Sequence, residues 1–277
     1  MYLKLRKGGF DMMNNTLALA TEQEYSRVIP FEIVQGKKKE IKCKKDGTEK
    51  HTKCNKIAGK DSEVYAFRTK EEIVAMIQVF DKHIEEADSN VKRQIACRNK
   101  LLFLIGMNIG IRGSDLRTLK WSFFFDQDDD GELEFKRFYT LQPMKQRKQK
   151  KFVKLYFNQT VQTAIKNYIV EYPIENLDDY LFFSRKGNEP ITVQGLWGII
   201  KGTAIEAGIK QNIGSHSLRK SFGFWCWHES EDKNKALVIL QQLFNHSSTQ
   251  ITARYIGILD DEIEDMFNSI ELGLDMI

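Results

Sequence analysis

Three short stretches carry side chains able to act on a phosphate ester. In "GSHSLRKSFG", His216 and Arg219 are three residues apart, so on a helix they share a face. A guanidinium there can grip two non-bridging phosphate oxygens, and an imidazole can move a proton. In "NHSSTQITARYIGI", His246 precedes Tyr255 by nine residues, with Arg254 beside the tyrosine. In "GIRGSDLRTLKW", Arg112 stands at a turn just before a helix, and Asp115 is near enough to orient a guanidinium. Taken singly, each has a plainer reading: a polar helix face, a packed tyrosine, a surface ion pair. Chemistry needs all three in one place.

The elements that must bring them together are mostly helical. "TKEEIVAMIQVFDKHI" opens with a capping box, Thr69 with Glu72, ahead of apolar residues at helical spacing. "VKRQIACRNKLLFLIGMNI" reads as a more buried helix ending at Gly110, and Ser114 as the cap of a short helix over "DLRTLKW". "ELEFKRFYTLQP" and "KFVKLYF" read as two strands of a hairpin around the basic turn "KQRKQKK". Helices are expected at about 159–172, 193–207, 216–228, 233–244 and 248–256, with a last one near 260–271. The fold class is therefore mainly α with one small antiparallel β-sheet.

Composition narrows the setting. A chain of 277 residues holds one large domain, or a medium one with a small companion. Four scattered cysteines suggest a reducing cytoplasm, no apolar run is long enough for a membrane helix, and the basic start is no signal peptide. The net charge of +4 hides a strong polarity along the chain. Ten lysines against three acids lie between Lys37 and Lys60, whereas no lysine or arginine follows Arg254 and seven acids do. Such basic clusters favour a polyanion such as nucleic acid. Residues 1–64 read as a short lysine-rich arm with possible strands such as "RVIPFEIV", and 65–277 as the main domain.

Two metal readings fail. Cys43, His51 and Cys54 match no common zinc spacing and lack a fourth ligand nearby. "DQDDDGELEFKR" begins like a calcium loop with Asp126, Asp128, Asp130 and Gly131, but its twelfth position is Arg137 and strands flank it. A solvated turn is expected instead.

Taken in order, "GIRGSDLRTLKW", "HSLRKSFG" and "NHSSTQITARYIG" resemble the catalytic boxes of the tyrosine recombinase (phage-type integrase) family, over roughly residues 65 to 265. The resemblance implies that family's catalytic-domain fold. It puts the first arginine on Arg112, the His-x-x-Arg pair on His216 and Arg219, the late histidine on His246 and the nucleophile on Tyr255. The hairpin lysine best matches Lys145, although the threonine that often follows it is Gln146 and the usual strand proline is Lys154. Lys148, Lys150, Lys151 and Arg254 are then expected at DNA phosphates.

The implied activity is site-specific recombination through a 3′-phosphotyrosyl link, for integration, excision or resolution of a mobile element or plasmid. No metal, ATP or other cofactor is implied. The implied partner is a double-stranded recombination site, bound by a homotetramer on paired sites, the free protein being a monomer in the cytoplasm and nucleoid-associated on DNA. Two other readings stay open: a non-catalytic DNA-binding regulator of the same fold, and a type IB topoisomerase.

Overall fold

The computed structural model describes residues 4–5, 63–144, 152–185 and 187–270. The chain divides into two compact units, Met1–Arg6 with Ser62–Ile277, and Lys7–Asp61. All described residues belong to the first. The lysine-rich block, the strand candidate "RVIPFEIV" and the Cys43, His51, Cys54 trio lie outside them.

Helices dominate, as the sequence implies. They are α1 (Lys70–Glu85), α2 (Asn90–Ile109), α3 (Gly113–Leu116), α4 (Gln159–Glu171), α5 (Val193–Glu206), α6 (Ser215–His228), α7 (Lys233–Phe244), α8 (Thr249–Ile256) and α9 (Ile258–Asn268). The short strands are β1 (Lys4–Leu5), β2 (Phe125–Gln127), β3 (Glu132–Phe135), β4 (Phe138–Leu141), β5 (Val153–Tyr156), β6 (Phe183–Ser184) and β7 (Gly187–Pro190). No described helix is long and apolar enough to cross a membrane.

Local chemistry explains most boundaries. At α1 the Thr69 hydroxyl accepts the Glu72 amide at 3.2 Å while the Glu72 carboxylate accepts the Thr69 amide at 3.3 Å, the expected reciprocal box. Ser89, Asn158, Thr192, Asp232 and Ser248 cap α2, α4, α5, α7 and α8 one way only, each side chain accepting one amide. The apolar stripes meet in two clusters. The larger gathers Met76 and Phe80 of α1, Leu101 to Ile105 of α2, Phe123 to Phe125, and Ile165, Leu196, Ile200 and Leu218. Phe67, Phe80 and Phe103 pack ring to ring in it at 5.6 Å. The smaller holds Ala66, Phe224, Leu240, Phe244, Ala253, Ile256 and Ile258, under α6, α7 and α8.

Three expectations need correction. Among the described residues the single small sheet expected is three: β1-β3-β2, β4-β5 and β6-β7. "ELEFKRFYTLQP" is not one strand but two. β3 pairs antiparallel with β2 and parallel with β1, after which the chain leaves the ladder at Lys136, and β4 pairs with β5. The physical reason is a side-chain tether: Lys136 Nζ bonds the Ser122 carbonyl at 2.8 Å and pairs with Asp126, while its amide reaches Phe124. Ser114, finally, does not cap α3. Arg112 takes the N-cap position without a side-chain bond, and Ser114 lies inside the helix. The Asp-rich turn does behave as expected: Asp128 Oδ1 accepts the amides of Asp130 and Glu132 and so closes a β2–β3 hairpin.

Candidate functional site

Gly110 begins the construction. Its left-handed backbone, φ 68°, ends α2, and a Cβ there would lie 2.1 Å from the Phe222 ring. Glycine alone allows both. The turn buries Ile111 and presents Arg112 at the start of α3. It also leaves the Gly110 carbonyl to accept from Arg219 Nη1 at 2.6 Å, a cation at the negative end of a helix.

Arg219, on α6, is 6% exposed. Its Nη2 reaches the Phe244 carbonyl at 3.4 Å, and its guanidinium carbon stands 4.2 Å from the centre of the Phe244 ring. Carbonyls and a ring fix the fork, and among the described residues no carboxylate is in ion-pair contact with it. Asp115 does act on it electrostatically, being 3% exposed, but its carboxylate is used to accept the Met144 amide at 2.9 Å. Burial pulls the Arg219 guanidinium down to about 10, so it is still charged at neutral pH.

Tyr255 sits in the last turn of α8, its phenol within electrostatic reach of the Arg219 guanidinium. Its ring meets Phe244 edge-on at 5.5 Å and His246 at 5.1 Å. Burial pushes the phenol above its ordinary value, with the Arg219 and Arg112 cations pulling the other way. His246 arrives from a sharp turn. Asn245 ends α7 with φ 54°, the sole non-glycine positive φ among the described residues, a conformation asparagine tolerates. His246 Nδ1 then lies 3.0 Å from the buried Thr252 hydroxyl. Burial, then Arg219, then Arg112 lower its basicity, so it is neutral at pH 7.

The structure thus brings Arg112, Arg219, His246 and Tyr255 into mutual electrostatic reach. His216 is exposed at the start of α6, one turn before Arg219. Arg254 is exposed on α8. Lys145, Lys148, Lys150 and Lys151 lie outside the described residues, although the chain approaches Lys145 from Met144, which Asp115 holds.

Several contributors went unread in the sequence. Phe244 backs Arg219, His246 and Tyr255 at once, and Thr252 orients His246. Lys220, 8% exposed, pairs with Glu63 at 2.7 Å and places its Nζ 5.6 Å from the Tyr255 ring centre. The helical period could have grouped Thr252 with Tyr255, three residues apart. Nothing local marks Phe244 or Lys220.

Known proteins resemble this chain in sequence and fold. The family model described as "Phage integrase family" matches residues 67–262. "Probable integrase/recombinase YoeC" of Bacillus subtilis (strain 168) is 31% identical over 180 residues, which are 64% of this chain and 88% of that protein. "Tyrosine recombinase XerD" of Oceanobacillus iheyensis is 33% identical over 94 residues, 34% of this chain and 30% of that one. Among solved structures, XerH site-specific recombinase bound to palindromic difH substrate, a post-cleavage complex, superposes with a TM-score of 0.51. That match is 20% identical and covers 76% of this chain and 54% of XerH. XerA recombinase gives a TM-score of 0.51 at 18% identity, over 76% of this chain and 65% of XerA. The chain therefore spans little more than half of the XerH chain it matches.

The fold is that of a tyrosine recombinase catalytic domain. The chain belongs to the phage integrase family of tyrosine recombinases.

Proposed function

We propose that this protein is a site-specific DNA recombinase that breaks and rejoins strands through Tyr255. The observation that carries the reading is the shared Phe244 ring, 4.2 Å from the Arg219 guanidinium and 5.5 Å from the Tyr255 ring, which sets the phenol beside a buried cation without a carboxylate ion pair among the described residues. A fixed cation whose neighbouring carboxylate, Asp115, is held by the Met144 amide is prepared for an anion, and stabilising charge at the reacting phosphate is commonly the largest catalytic contribution.

The steps follow from the groups. The scissile phosphate takes the place between Arg112 and Arg219, which neutralise its non-bridging oxygens. The Tyr255 oxygen bonds to phosphorus and the 5′ oxygen leaves. Because burial keeps the phenol protonated, a base must take its proton, and His216, one turn from Arg219, is assigned that part. Lys145 supplies the proton to the departing oxygen. His246 donates to the phosphate from Nε2, which requires the Thr252 hydroxyl to turn from the Ser248 carbonyl, 3.3 Å away, and donate to Nδ1, so the bound anion selects that tautomer. The 3′-phosphotyrosyl ester keeps the bond energy, and a second 5′ hydroxyl reverses the steps. Metal, ATP and other cofactors have no part in the scheme.

The partner is a duplex recombination site, engaged by four protomers on two paired sites, and the free protein is a monomer. Lys148, Lys150, Lys151 and Arg254 meet backbone phosphates. Integration, excision or resolution of a mobile element or plasmid, in the cytoplasm, is the setting that suits this chemistry.

A nicked suicide substrate carrying the site tests the reading. Wild type should yield a covalent protein–DNA band, and Tyr255→Phe should lose it while binding DNA within several-fold. No band from wild type on its mapped site would leave a DNA-binding regulator. Relaxation of plasmids lacking the site would indicate a type IB topoisomerase.

A further inference from the structure

The segment just ahead of α1 is laid across the helices that carry the site. Glu63 pairs with Lys220 and its carbonyl accepts from Asn212 Nδ2 at 2.7 Å. The Tyr65 amide donates to Asn212, the Phe67 amide to Ser221 Oγ at 2.7 Å, and Trp225 Nε1 to the Phe67 carbonyl at 2.9 Å. At the end of this strap, Arg68 Nη2 donates to the Gly257 carbonyl at 2.5 Å, across 189 residues of sequence.

Gly257 is the C-cap of α8, two residues beyond Tyr255. Its φ is 85°, and its amide closes the last turn onto the Ala253 and Arg254 carbonyls. A cation at that carbonyl meets the negative pole of the helix. Arg68 is also fixed at both of its own ends. Its amide bonds Glu72 Oε2 at 2.8 Å inside the α1 capping box, and its guanidinium carbon stands 5.4 Å from the Phe224 ring centre. The fit is tight: a Cβ on Gly257 would lie 2.4 Å from Arg68 Nη2.

We infer that Arg68 is a positioning residue for Tyr255: it latches the C-terminal end of α8 and so holds the phenol in register with Arg112 and Arg219. An eight-residue helix is marginal by itself, and its ends fray first. Tyr255 stands in the turn that frays. The N-terminal end of α8 has the Ser248 cap and the buried Thr252; the C-terminal end has the Gly257 cap, the buried Ile256 and the Arg68 latch, the one of these that ties it to the strap ahead of α1. A nucleophile displaced by about 1 Å can lose on the order of 100-fold in rate. Arg68 touches no reacting atom, so its effect runs through Tyr255 and not through the arginine cage. The inference rests on the cleavage reading for its kinetic part only.

The test separates tyrosine placement from general damage. At saturating suicide substrate, Arg68→Ala should slow covalent-band formation by roughly 10- to 100-fold. DNA affinity should stay within threefold, and Arg68→Lys should recover most of the rate. In a Tyr255→Phe background, hydrogen peroxide replaces the phenol: a peroxide oxygen bonds to phosphorus and the 5′ oxygen leaves protonated. Adding Arg68→Ala there should change the peroxide-driven rate less than twofold. Equal losses in both assays, or no loss with the tyrosine present, overturn the latch. If wild type forms no band, the cleavage reading falls, and amide hydrogen exchange decides the latch alone. Arg68→Ala must then speed exchange at Ile256 and Gly257 at least tenfold while α2 is unchanged. Unchanged exchange in α8 overturns it.

Discussion

Arg219 is held by two carbonyls and an aromatic face, and this decides what a substitution there does. Lysine keeps the charge but cannot span the Gly110 and Phe244 carbonyls while still reaching a phosphate with a second N–H. Arg219→Lys should therefore lower the cleavage rate by about 100- to 1,000-fold, as removal of one charge-stabilising donor does. Binding, measured by gel shift, should change less than tenfold. His246 supplies a pH signature at the same scale. Its proton is bound less tightly folded than unfolded, so the stability it contributes is complete above about 6.5 and declines as pH falls. Urea unfolding at pH 7.5 and 5.5 should show a smaller acid loss for His246→Gln than for wild type. An equal loss would mean the ring is not held neutral.

Elements decide whether these residues meet. α8 approaches α6 where Gly223 has no side chain; a Cβ there would lie 2.6 Å from Ile256 and 2.9 Å from Phe244. Gly223→Val should cost about 1 to 3 kcal/mol by overpacking. It should also slow cleavage more than its loss of folded protein explains, because the displaced helix carries Tyr255. Thermal unfolding together with active-site titration checks both. Element types were largely readable: the Thr69–Glu72 box, the Gly110 stop and the helical periods appear where spacing implied. Sheet partition was not. Period-two alternation through residues 132–141 lapses only at Arg137 and Phe138, and the Lys136 contacts with Ser122 and Asp126 turn that lapse into the break between β3 and β4. Ser114 offers a capping residue type, but the Gly110 turn sets the helix start two residues earlier, with Arg112 at the N-cap.

Across the whole molecule, α9 leaves Ile263, Met266 and Phe267 exposed, with Ile270 just beyond it. On the tetramer proposal this apolar stripe docks on a neighbouring protomer, a contact that closes a ring. Replacing Met266 and Phe267 by Asp should leave suicide cleavage on a single site within threefold. It should abolish the paired-site complex on native gels and strand exchange with it. A free protein that is already tetrameric by light scattering would contradict this. Affinity for the site should also fall steeply with salt, since phosphate contacts release counterions.

By itself the sequence determined residue types, most helix boundaries and the order of the three boxes, because caps and periods act over a few neighbours. It therefore carried Arg112, Arg219, His246 and Tyr255 as candidates. The tertiary structure alone decided that a Phe244 ring backs three of them, that Asp115 turns toward Met144, and that Arg68 grips Gly257. Those contacts join positions far apart in the chain, where only packing can choose a partner.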